Sequence, residues 1–288
     1  MNGVIAINKE KGYTSRDIVN IVGKVYHTKK VGHTGTLDPM ATGVLIVCVG
    51  KATKLVSLLT ATEKEYVADV LLGVETDSLD TDGNVLREEN VDCDRTRIDQ
   101  VLKSMKKTYL QEVPKYSAVK VKGKKLYEYA RSNQEVKLPK KEVTIYDLER
   151  ISDVFYENGK IRFQIRCKVS KGTYIRSLIR DIAHELGTIG VMSGLCRTKQ
   201  GEFALKDCVS LEQLKEQPTI QSIAHVLSIY PQKVVDGKEE EMILNGRKLS
   251  NRYNEKTIVF LNKDHHVLGI YQFDEEEQMM VPWKMILE

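Results

Sequence analysis

The sequence predicts an α+β fold with a small β-rich C-terminal part, and three observations carry that reading. Ile161 to Val169 alternates without a break: Ile161, Phe163, Ile165, Cys167 and Val169 share one side, with Arg162, Gln164, Arg166 and Lys168 on the other. That is the period of a half-buried strand. Val44-Leu45-Ile46-Val47-Cys48-Val49 is a continuous apolar run rich in β-branched residues, the pattern of a fully buried strand. Ile175 to Leu186 instead carries its apolar residues at helical spacing, and Gly187 follows as a stop.

The elements follow in order. Val4 to Ile7 is a short strand, and Asn8 to Gly12 its turn. Thr14 caps a helix, with Asp17 completing a capping box and Ile18, Ile21, Val22 and Val25 as the buried stripe. A helical stretch, 52–59, follows the buried strand, and 63–73 is a further strand. Tyr66, near its start and flanked by charges, is expected at an open edge. Ser78 to Gly83, with Glu89 at the twelfth position, superficially matches a calcium loop. Its first position is Ser and a strand precedes it, so an acidic turn is the better reading. Thr96 is expected to cap a helix, with Ile98, Val101, Leu102 and Met105 inward. Lys124 to Arg131 reads as a short exposed helix on a protruding loop. After helical segments at 211–215 and 220–227 come strand-like pieces at 257–261 and 267–271, a turn at Leu244-Asn245-Gly246, and an acidic cluster, Asp274 to Glu277.

The 288 residues suffice for one large and one small domain, and 29% charged with 41% hydrophobic residues describes a soluble globular chain. No apolar run is long enough to span a bilayer, and Met1-Asn2-Gly3-Val4 resembles neither a signal nor a transit peptide. Cys48, Cys93, Cys167, Cys196 and Cys208 are odd in number and contain no Cys-x-x-Cys pair. They read as reduced thiols of a cytoplasmic protein, not as a disulfide framework or zinc site.

The net charge of +4 is unevenly spread: residues 103–141 hold twelve Lys/Arg against Glu112, Glu128 and Glu135. Clustered cations reward a polyanion through counterion release. Tyr109, Tyr116, Tyr127 and Tyr129 are interleaved with the charge, where bases could stack. Arg176 lies in the first turn of its helix, a position the helix dipole disfavours, so it asks for an anionic partner.

One loop organises the chain: Gly32-His33-Thr34-Gly35-Thr36-Leu37-Asp38-Pro39-Met40-Ala41-Thr42-Gly43. Its glycines permit positive φ, and Pro39 pushes Asp38 toward an extended conformation. A single carboxylate at the mouth of a core strand suits a nucleophile, although Asp is also an ordinary turn residue.

This loop closely resembles the catalytic motif of the TruB-type pseudouridine synthases. Lys64-x-Tyr66, Thr76 to Gly83, Val113-Pro114-Lys115-Tyr116-Ser117-Ala118-Val119-Lys120 and Lys171-Gly172-Thr173-Tyr174-Ile175-Arg176 match further blocks of that family in the same order. The similarity covers about the first 210 residues, and the tail resembles a PUA-type RNA-binding domain only loosely. One departure stands out: the family's Lys-Pro-x-Gly is here Lys9-Glu10-Lys11-Gly12, which removes a turn constraint beside the loop.

The resemblance implies a mixed, largely antiparallel central sheet with flanking helices in a catalytic domain spanning 1–230. The basic insertion at about 103–141 would grip RNA, and 231–288 would form a short PUA-like domain. The implied activity is isomerisation of uridine to pseudouridine at position 55 in the T-arm of tRNA, without cofactor, metal or guide RNA, by a protein acting as a monomer. Asp38 matches the nucleophile, Tyr66 the tyrosine that stacks on the target base, and Arg176 the arginine paired with the aspartate. Tyr174 and Leu195 would line the pocket, His33 would support the flipped-out loop, and Lys120, Lys122 and Lys124 would contact phosphates. The chemistry agrees: a stacked base must be flipped to be reached, and one carboxylate suffices to attack the ribose or take its C2′ proton. Two other readings use the same residues: a non-catalytic RNA-folding factor, and the catalytic subunit of a guide-RNA particle. Intact Asp38, Tyr66 and Arg176 oppose the first; a tail this short opposes the second.

Overall fold

A computed structural model describes residues 1–132 and 134–288. Asn133, within the basic segment, lies outside the described residues. The central sheet has ten strands. Its main path runs Gly3–Lys9, Thr42–Val49, Gly190–Gln200, Lys64–Leu72, Lys160–Val169, Lys140–Arg150, Thr108–Glu112. Along that path only Thr42–Val49 and Gly190–Gln200 pair parallel, so the sheet is mixed and largely antiparallel.

The local patterns explain these elements. In Lys160–Val169 every apolar residue of the alternating set is at most 2% exposed, while Arg162, Gln164, Arg166 and Lys168 face water. Thr14 and Asp17 form the expected capping box on the helix Ser15–Val25, whose Ile18 and Val22 are fully buried. Gly187 closes the helix Ile175–Leu186 in the left-handed conformation, φ 80°. These two helices and Arg95–Ser104 cover one face of the large sheet.

Four expectations need correction. Tyr66 is not at an edge: Lys64–Leu72 lies between Gly190–Gln200 and Lys160–Val169, and Tyr66 is buried. The charges flanking it sit on a central strand whose end opens onto a cavity. Asp94, not Thr96, caps Arg95–Ser104, because its carboxylate accepts from the Arg97 N–H at 2.7 Å. The helix Leu126–Arg131 is only half exposed, since Leu126 and Ala130 pack inward. Leu244-Asn245-Gly246 does not join strands; it ends a helix, Gly237–Leu244, that the acidic composition disguised.

The tail forms a five-stranded sheet, ordered Gln232–Val234, Thr257–Leu261, Val267–Asp274, Met279–Met285, Leu249–Ser250. It has its own core around Phe260 and Tyr271, whose rings meet edge to face at 5.2 Å. Val259, Leu261, Val267 and Ile270 also share a cluster with Val4, Ala6, Val44 and Ile46 on the second face of the large sheet. Gly3–Lys9 and Thr42–Val49, at that end of the sheet, are therefore covered on both sides, and the loop that enters Thr42–Val49 is held firmly.

Candidate active site

The Asp38 loop is anchored before and after the carboxylate. Leu37, Met40 and Ala41 are buried, and the Ser15 hydroxyl accepts from Leu37 N–H at 2.9 Å. The carbonyl of Pro39 accepts from Gly12 N–H at 2.8 Å and from the Lys9 ammonium at 3.3 Å. Lys9 is fully buried and also donates to the carbonyls of Glu10 and Tyr13. Burial pulls its pKa down to about 8, with Asp38 acting the other way and Arg197 adding to the decrease. These contacts supply rigidity where the family's proline is missing. Gly43, at φ +99°, closes the loop where a Cβ would collide with the carbonyl of Arg197.

With its flanks buried, Asp38 presents a side chain that is 37% exposed. Arg176 meets it from the first turn of Ile175–Leu186: Nε lies 3.1 Å from Oδ2 and Nη2 3.3 Å from Oδ1. The guanidinium is buried and otherwise satisfied, by the carbonyls of Ser78 at 2.8 Å and Tyr116 at 3.0 Å. Asp80 Oδ2 stands 3.5 Å from Nη1, so Arg176 lies between two carboxylates. Such paired, hydrogen-bonded geometry is what makes a buried charge tolerable. Burial raises the Asp80 pKa; the Ser78 hydroxyl and Arg176 counter it, and Asp38 adds to the rise.

Asp38, Tyr66, Tyr174, Arg176 and Leu195, five of the residues singled out from the sequence, line one cavity of about 270 Å³. Tyr174 is fixed through its backbone, whose N–H donates to buried Gln111 Oε1 at 2.8 Å. Burial is the main cause of the raised Tyr174 pKa. A carboxylate ion-paired to arginine, next to two aromatic side chains in a cavity open to solvent, can receive a flat base and act on the sugar attached to it.

The remaining candidates lie elsewhere. His33 is outside the cavity lining; its Nδ1 accepts from Gly35 N–H at 3.3 Å. Burial, followed by Arg16 and Arg197, holds its pKa below the usual value. Lys120 and Lys122 are exposed on the hairpin formed by Lys120–Val121 and Lys124–Lys125. Lys124 is instead engaged, 4.7 Å above the Tyr129 ring and 2.8 Å from Gln134 Oε1. The interleaved tyrosines are likewise occupied. Tyr109 donates to Asp181, Tyr116 to Asp77 and Tyr129 to the Val121 carbonyl, while Tyr127 packs against Lys125 and Arg131. Their hydroxyls tether Tyr109, Tyr116 and Tyr129, and cations lie over the rings of Tyr127 and Tyr129, while Tyr116 also lines the cavity.

Sequence reasoning missed Asp80, Lys9, Gln111 and Arg197. Nothing in the acidic turn distinguishes Asp80 from Asp77 or Asp82, and nothing in the local sequence marks a lysine or arginine as buried.

The chain matches two family models: the N-terminal domain of TruB family pseudouridylate synthases over residues 23–175, and the tRNA pseudouridylate synthase B C-terminal domain over 176–228. It is 42% identical to tRNA pseudouridine synthase B of Bacillus cytotoxicus, over 100% of this chain and 98% of the relative. Against the enzyme of the same name from Limosilactobacillus reuteri the identity is 40%, over 99% of each. Among solved structures, a chain of a Cbf5-Nop10-Gar1 complex aligns with TM-score 0.70 at 24% identity, covering 99% of this chain and 85% of that one. A chain of an H/ACA RNP bound to a substrate RNA aligns with TM-score 0.68 at 22% identity and the same coverage. These two likenesses concern the fold. By the extent of the family match and the full-length relatives, the chain belongs to the TruB family of pseudouridylate synthases.

Proposed function

We propose that this protein isomerises uridine to pseudouridine at position 55 in the T-arm of tRNA, with Asp38 as the reacting carboxylate. The observation that carries the reading is the two-point Arg176–Asp38 pair opening into the cavity that also holds Tyr66, Tyr174 and Leu195. The names of the full-length relatives supply the substrate class.

The reaction breaks the N-glycosidic bond, turns the uracil and rejoins it to C1′ through carbon 5, whose proton moves to solvent as N1 gains one. Attack on the ribose and abstraction of the C2′ proton both start from an ionised Asp38. Arg176 aims the carboxylate and supplies its counter-charge. Tyr66 offers the face on which the flipped base rests, with Tyr174 and Leu195 closing the pocket and His33 supporting the distorted RNA loop. Lys120 and Lys122 carry phosphate contacts outside the cavity, and Lys124 holds their hairpin in shape. The enzyme acts in the cytoplasm as a monomer, without guide RNA or cofactor; residues 1–230 perform catalysis and 231–288 form an RNA-binding appendage.

The test uses purified protein and unmodified tRNA transcript with no other component, and maps pseudouridine by chemical modification. One pseudouridine at position 55 is expected. Binding without product would replace this reading with that of an RNA-folding factor, which the exposed basic hairpin would equally serve.

A further inference from the structure

Lys64 and Arg197 line the same cavity as Asp38, yet neither takes part in the Asp38–Arg176–Asp80 cluster. Both are buried, at 7% and 1% exposure. Among the described residues Lys64 donates only to carbonyls, of Thr60 at 2.9 Å and Thr62 at 2.7 Å, which leaves one ammonium proton without a partner there. Arg197 donates from Nε to the Val44 carbonyl at 2.6 Å and from Nη2 to the Gly35 carbonyl at 3.1 Å. Its Nη1 has no hydrogen-bond partner among the described residues, and neither cation is in an ion pair with a carboxylate among them.

The Arg197 guanidinium and the stem of the Lys64 side chain approach one place beside Gly35. A Cβ at Gly35 would lie 3.4 Å from Arg197 Nη1, 3.7 Å from Lys64 Cε and 4.0 Å from Gln200 Oε1. Glycine leaves that space open. Burial, then Arg197 and Lys171, pulls the Lys64 pKa down to about 8, with no carboxylate counteracting it. Buried cations without counter-charges are costly, and the cost falls when an anion enters and takes their free N–H groups. Arginine and lysine together suit an oxygen-rich anion such as a phosphodiester.

We propose that Lys64 and Arg197 form a receptor for a backbone phosphate adjoining the flipped nucleotide. This deepens, and rests on, the reading of the site as one that takes a nucleotide out of an RNA loop. The receptor lies within the cavity, separate from the exposed lysines of the hairpin. It would hold the nucleotide by its phosphate while Tyr66 holds the base, fixing the ribose between them at Asp38. Anchoring both ends of one nucleotide is a direct way to place the reacting carbon.

The experiment uses T-arm RNA hairpins in which the linkage 5′ or 3′ to the target uridine is replaced by an uncharged methylphosphonate. Affinity and single-turnover rate are measured for the wild type and for Lys64→Met. One of the two linkages should weaken wild-type binding or rate by roughly ten- to hundredfold, as expected for losing charge-assisted hydrogen bonds. Lys64→Met should show a similar loss with normal RNA and little further loss with that methylphosphonate. A linkage effect of equal size in wild type and Lys64→Met overturns the proposal. So does wild-type indifference to both replacements, whether or not the variant folds. Pseudouridine formed from the all-phosphodiester hairpin reports separately on the proposed function. Turnover without linkage sensitivity sinks only the receptor, and linkage-sensitive binding without turnover sinks only the activity.

Discussion

Arg176 ion-pairs with both oxygens of Asp38, donating a hydrogen bond from Nη2 to Oδ1, while its Nη1 faces Asp80, so one guanidinium fixes the Asp38 carboxylate and is itself fixed by a second one. Asp38→Asn keeps the size of the side chain and removes its charge. The expected outcome is loss of pseudouridine formation with tRNA affinity within a few-fold of wild type, read by product mapping and filter binding. A parallel collapse of binding would make Asp38 a structural residue.

Asp80→Asn tests the second carboxylate. Asp80 is buried and tied to Ser78, whose hydroxyl donates to it at 2.5 Å. Removing its charge leaves Arg176 biased toward Asp38 alone. Stability is expected to change by about 1–3 kcal/mol, with a fall in rate larger than any fall in affinity. Single-turnover kinetics separate the two; an unchanged rate would show that the Asp80–Arg176 contact does not matter for aiming Asp38.

Lys64 gives a pH signature. Its pKa is pulled from 10.5 to about 8 in the folded protein, by burial first and then by Arg197 and Lys171. Between those two values the unfolded chain holds the proton that the folded chain has released, so stability from this group rises with pH across that window. At lower pH the cost of the buried charge is fully present. Subtracting the Lys64→Met stability profile from that of the wild type should leave a slope of up to about 1.4 kcal/mol per pH unit between pH 8 and 10.5. Denaturant melts over that range measure it, and identical slopes would place the Lys64 titration elsewhere.

Gly43→Ala should damage the fold locally. The residue sits at φ +99° and its missing Cβ faces the Arg197 carbonyl. Backbone strain of this kind costs roughly 1–3 kcal/mol, and the collision adds to it. A lowered melting temperature with reduced activity is the expected result; a neutral substitution would mean the loop re-forms around the methyl.

The exposed pair Lys120 and Lys122 should act on RNA electrostatically. Replacing both with Gln should weaken tRNA binding and flatten its dependence on salt by roughly one unit of slope per lost contact. Lys124→Gln should act differently, by loosening the hairpin it holds against Tyr129 and Gln134. Unchanged salt slopes in the double variant would make the hairpin merely a solvated surface.

Much of this was legible in the linear chain because it depends on neighbours in sequence. The alternation of 161–169, the Thr14–Asp17 box, the Gly187 stop and the apolar run at 44–49 are local patterns, and the structure keeps each of them. The motif order also pointed to Asp38, Tyr66, Tyr174, Arg176 and Leu195, which the fold places around one cavity. Tertiary structure alone decided which charges are buried. Asp80, Lys9, Lys64 and Arg197 look like surface residues in sequence, and they became buried because strands and loops far apart in the chain close over them. It also decided that Tyr127 and Tyr129 pack against lysines of their own segment, while Tyr109 and Tyr116 reach carboxylates of other elements, Asp181 and Asp77. Burial is a property of what packs from elsewhere, so a periodic pattern can show a strand's inner face but not which polar group will end inside a site.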